Sequence, residues 1–133
     1  MKKLKNSIGL LILFVSLFVQ TGFSQTATLE IAIDVAPAVL NLNNQGEVVT
    51  VHTDIAYSLV TGSSVFLNGV EINSWKADDR GNFVAKFLME EIKGLPLNIG
   101  AMNNLVLTGE TFAEIEFQGE QEIKVINVIP KKR

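Results

Sequence analysis

His52 is the only histidine of the chain, and there is no cysteine. Those two facts narrow the available chemistry. A nucleophile–histidine relay has to run through His52, and zinc, which draws most of its ligands from His and Cys, has almost nothing to use. Val49 and Val51 alternate with Thr50 and His52, so His52 is expected on the outer face of a strand. Asp78, Asp79 and Asn82 offer oxygens within one short loop. Calcium takes about six to eight oxygens, often from alternating loop positions. Here Arg80 occupies a position where a further ligand would stand, no EF-hand pattern is present, and a plain polar turn is the favoured reading. Calcium is the one cofactor this loop admits, and the expectation is that there is none.

Carboxylates are plentiful, but that proves little. Glu114, Glu116, Glu120 and Glu122 read as solvated strand faces and a turn. A pair able to cleave a glycoside needs a cleft that holds the two groups about 5–9.5 Å apart, so a small carboxylate-dependent hydrolase is the least favoured class. The aromatic residues are the better lead. Trp75 and Tyr57 are the sole members of their types, and both fall beside loops. Phe66 alternates with Val65 and Leu67 and faces away from them. If exposed together, Phe66 and Trp75 would make a flat platform for stacking on a sugar or a protein partner. Trp75, Tyr57 and Phe66 are therefore the candidate ligand-binding residues.

The N-terminus says where such a surface would work. Lys2, Lys3 and Lys5 precede an apolar run from Ile8 to Val19, and Gly22-Phe23-Ser24 places small residues one position apart. That order is a secretory signal peptide. The run is short of the roughly 20 residues that span a bilayer. The expectation is a leader over residues 1–24, helical over residues 5–20 and cleaved after Ser24. One domain over residues 25–133 remains, ending in the basic tail Lys131–Arg133. The protein would then be secreted, periplasmic or at the cell surface, with no membrane span after cleavage.

Cleavage also changes the charge. The full chain carries a net −3; without the leader, eight Lys and Arg face 14 Asp and Glu, a net −6. An acidic body argues against nucleic acid as a partner, since that needs a basic face, and against an anionic membrane surface. A protein or glycan of the cell envelope fits better.

Period-two alternation recurs from Thr28 to Val128. Leu29, Ile31 and Ile33 share one face of a first strand, which Pro37 ends before Val39–Leu42. Asn43–Gly46 is a turn, and Glu47–Asp54 follows as a strand with Val49 and Val51 inward. In Ser64–Asn73, Asn68-Gly69 supplies the positive φ of a type I′ turn. A two-residue loop pairs Leu67 with Val70 and Val65 with Ile72, placing all four on one face. Phe83, Ala85 and Phe87 point inward from Asn82–Phe87. Residues 88–93 switch to helical spacing, with Gly94 as the stop. Leu105 and Leu107 open another strand, which Thr108–Thr111 weakens toward a bend. Ile115 and Phe117 continue the alternation, Gly119 punctuates it, and Ile123 and Val125 close the set. The sum is an all-β, antiparallel β-sandwich of about seven to nine strands with one short helix near 88–93.

Taken in order, Leu40-Asn41-Leu42 with Gly46, Val65-x-Leu67-Asn68-Gly69, Lys86-Phe87, Leu107-Thr108-Gly109, Phe117-x-Gly119 and Ile123-x-Val125 carry a resemblance. The chain resembles the small immunoglobulin-like β-sandwich modules of secreted and cell-surface bacterial and archaeal proteins. The resemblance implies a non-catalytic structural or interaction module acting in the periplasm or at the cell surface. A carbohydrate-binding module that uses exposed aromatics is the alternative.

Overall fold

A computed structural model of the chain describes residues 27–129. The leader, the cut site and the tail Lys131–Arg133 lie outside the described residues.

Ten strands form two sheets. They are β1 (Leu29–Glu30), β2 (Ile33–Ala36), β3 (Val39–Asn41), β4 (Val48–Ala56), β5 (Val60–Leu67), β6 (Val70–Glu71), β7 (Ser74–Ala77), β8 (Asn82–Leu88), β9 (Met102–Thr111) and β10 (Glu116–Ile126). A 3-10 turn, Tyr57–Leu59, joins β4 to β5, and a helix α1, Met89–Lys93, follows β8. The larger sheet has the order β1-β10-β9-β5-β6, with β3 also on β10. The smaller has the order β2-β4-β8-β7. Inward residues of both sheets form one core, including Val49, Val51, Val65, Leu67, Phe83, Phe87, Leu105, Leu107, Phe117 and Ile123. Burying each such side chain favours the fold by roughly 1.5–3 kcal/mol. Among the described residues the buried polar side chains are Thr53, Asn103 and Thr111. Each is hydrogen-bonded: Thr53 donates to Phe83 O, Asn103 bonds across its own loop, and Thr111 accepts from the Ile115 amide. None brings an unmet polar group into the core.

The expected hairpin is present in the expected register. Leu67 lies opposite Val70, and Ile72 N–H donates to Val65 O. Asn68 and Gly69 hold φ 48° and 84°, as a type I′ turn requires. His52 is exposed and Val49 and Val51 are buried. The helix is present too, and it buries Met89 and Ile92 as it packs beside β4 and β8. Gly94 caps it at φ −78°, a conformation open to any residue.

Several expectations need correction. The first strand is not continuous. β1 pairs with β10, β2 crosses to pair with β4 in the other sheet, and β3 returns to β10 after the cis Ala36–Pro37 bond. This division raises the strand count to ten, and both pairings on β10 are parallel, so the sandwich is not wholly antiparallel. Thr108–Thr111 is not a bend, and Gly119 does not interrupt its strand. β9 and β10 pair without a break from Met102↔Lys124 to Glu110↔Glu116. Their glycines make room instead. A Cβ on Gly109 would lie 2.5 Å from Cζ of Phe117, and one on Gly119 would lie 2.7 Å from the carbonyl oxygen of Ile31. Gly119 is where the chain crosses from β1 to β2. Finally, Ser74–Ala77 had no strand assigned, yet it forms the exposed edge β7.

Candidate functional site

The outer face of the larger sheet is built by the register of its three long strands. Phe66 of β5 faces Thr108 of β9 on one side and Glu71 of β6 on the other. Along β9 and β10, Thr108 faces Gln118, Glu110 faces Glu116, Val106 faces Glu120 and Asn104 faces Glu122. Directly opposed residues project from the same face, so an acidic, polar surface surrounds one aromatic ring. Among the described residues the one ion pair is Lys93–Glu90, which involves none of these glutamates. Glu110 and Glu116, directly opposed, repel each other.

A depression of about 410 Å³ opens in this face, lined by Ser64, Phe66, Thr108, Glu110, Glu116 and Gln118 among others. Its origin is a large irregularity in β5. Phe66 pairs with Thr108, but Thr61 pairs with Glu110, so four residues of β5, Gly62–Val65, stand against Gly109 alone. Excess residues of this kind bend a strand and re-aim its side chains. Ser64 closes the gap in the ladder. Its Oγ accepts from the Glu110 amide at 2.8 Å and donates to Thr61 O at 2.6 Å.

The three candidate aromatics do not share one platform. Phe66 is 38 % exposed and stands on the wall of the depression. Trp75, 41 % exposed, belongs to β7 of the other sheet. There it lies opposite buried Ala85 and covers Gly62, where a Cβ would come within 2.1 Å of its ring. Tyr57 stacks on buried Phe83 with ring centroids 6.3 Å apart. Trp75 and Tyr57 therefore each commit one ring face to packing.

The Asp78 loop is organised around a turn. Asp78 Oδ1 accepts from the amides of Arg80 and Asn82 at 2.8 and 2.9 Å, which is an Asx turn. The Asn82 amide, aided by the Arg80 amide and by the charges of Arg80 and His52, holds the Asp78 carboxyl below the usual carboxylate range, against a smaller opposing effect of burial. Among the described residues no cluster of three or more His, Cys, Asp or Glu is placed to hold a metal ion. A second depression, of about 370 Å³, lies over β2 and β4 and carries Asp34, His52, Asp54, Asp78 and Arg80. Two of its carboxylates are already engaged, Asp54 by the Ala32 amide and Asp78 as above.

Sequence reasoning found Phe66 and its outward direction. It did not group Ser64, Thr108, Glu110, Glu116 and Gln118 with it. Alternation put each on an outer face, but their meeting depends on β5, β9 and β10 being neighbours. The run Gly62-Ser63-Ser64 was the local sign of the irregularity. No protein-family model matches the chain, and no curated protein or solved structure matches it.

Proposed function

We propose that this protein is an exported, non-catalytic module that engages a protein or glycan of the cell envelope through the outer face of its larger sheet. The observation that carries this reading is the depression beside Phe66: a half-exposed aromatic set beside two carboxylates at the end of the β9–β10 ladder. The leader sequence, Lys2 to Ser24, supports export and a place of action in the periplasm or outside the cell. The divided N-terminal strand, which pairs with one sheet, then the other, then the first again, supports an immunoglobulin-like arrangement. An enzymatic use of Glu110 and Glu116 would need them enclosed with a substrate, whereas their depression is shallow and open to solvent.

A photo-crosslinking residue placed at Phe66 in the exported chain tests this function. The expected outcome is a discrete adduct with an envelope component, absent when the same residue replaces Lys76 on the opposite sheet. Equal labelling from both positions, or none from Phe66, would remove the sheet face as the working surface.

A further inference from the structure

We infer that the depression beside the β5 irregularity is a subsite for one sugar ring of a neutral or amino saccharide, an inference that rests on the outer sheet face being the working surface. A pyranose has apolar C–H faces and a belt of hydroxyl donors. The lining matches both. Phe66 gives an exposed aromatic wall. Glu110, Glu116 and Gln118 give acceptors around it, and Thr108 adds a hydroxyl. Ionised carboxylates only accept, and O–H···O⁻ bonds are among the stronger ones, so the ligand has to be rich in donors. Hydroxyls bridging Glu110 and Glu116 would also relieve the repulsion between two carboxylates on opposed positions. An acidic sugar, a phosphate or a nucleic acid would add to that repulsion.

The depression lies over β5, β9 and β10, the inner strands of the larger sheet. The floor is also set in advance, because Ser64 Oγ holds both the Glu110 amide and the Thr61 carbonyl. Such preorganisation lowers the cost of binding. The volume, about 410 Å³, lies low in the range of small-molecule sites, roughly 300–1,000 Å³. Trp75 and Tyr57 stand apart, each with one ring face occupied.

Amide chemical shifts of the exported chain, followed during titration to about 10 mM with chitotriose, cellotriose, mannotriose and an oligogalacturonate, test the subsite. Saturable shifts centred on Ser64, Phe66, Thr108, Glu110, Glu116 and Gln118 are expected with at least one neutral probe and none with the oligogalacturonate. Phe66→Ala is expected to weaken that binding at least about tenfold, and Thr108→Arg, which fills the depression, to abolish it. Both side chains face outward, so an unchanged spectrum elsewhere verifies the fold. Absence of shifts with every neutral probe, or binding that survives both substitutions, overturns the inference. If the Phe66 crosslink still traps an envelope protein in that case, the subsite falls while the working surface stands. Loss of both results ends both.

Discussion

At the β5–β6 hairpin, Gly69 holds φ 84° and a Cβ there would meet nothing within 4 Å. At the β1–β2 crossing, Gly119 sits mid-strand in β10, where a Cβ would lie 2.7 Å from the Ile31 carbonyl oxygen and 2.7 Å from Ile33 Cγ2. The first glycine is required by its own backbone angle and the second by what passes over it. Gly109 belongs with the second, since the Phe117 ring fills the place of its side chain. The difference is between a constraint contained in two residues and one created by residues far away in the chain. The irregularity of β5 is of the second kind as well, because Gly62 lies under Trp75 of the opposite sheet.

The largest effect expected is that of Phe117→Ala, at about 3–5 kcal/mol in urea unfolding, because the ring is 1 % exposed and fills the space over Gly109. A much smaller loss would mean that Gly109 is not shaped around that ring. Next comes Gly119→Ala, at about 1–3 kcal/mol, since the nearest obstacle is backbone and cannot rotate away. Gly109→Ala should cost a similar amount, and adding Phe117→Leu should return part of it, as coupled neighbours do by about 0.5–3 kcal/mol. Strict additivity in that double-mutant cycle would break the packing explanation. Gly69→Ala should cost about 1 kcal/mol, less than Gly119→Ala, and no second substitution should rescue it. If thermal melts reverse the order of these two glycines, the comparison fails.

The smallest effect concerns pH. Asp78 is held below the usual carboxylate range, first by the Asn82 amide. Its folded pKa is therefore lower than in the unfolded chain. The contribution is present above the unfolded value and is lost as pH falls through the folded one. Amide shifts of Arg80 and Asn82 should move together as the pH falls below the ordinary carboxylate range, and Asp78→Asn should remove that titration.

Much of the fold was legible because its signals are local. Alternation with period two located β4, β8 and the inward faces of β9 and β10. Asn68-Gly69 set a hairpin register that the structure reproduces. The change of spacing at 88–93 revealed α1. What was not legible shared a different cause. Gly109 and Gly119 looked like punctuation, since a glycine under a close neighbour and a glycine in a turn are the same letter. The strand from Thr28 to Asp34 looked continuous because alternation does not say which sheet a residue joins. Phe66 was visible as an outward aromatic, while Glu110, Glu116 and Gln118 became its neighbours only through the order β10-β9-β5.

The sequence by itself therefore determined an all-β chain, the faces of its strands, one hairpin, one helix and an excess of acidic over basic residues. Tertiary structure alone decided the division of the first strand between two sheets, the close approaches over Gly62, Gly109 and Gly119, and the depression beside Phe66. The physical reason lies in range. Backbone angles and side-chain alternation are properties of adjacent residues, whereas strand order and interatomic clearance arise only when distant segments meet.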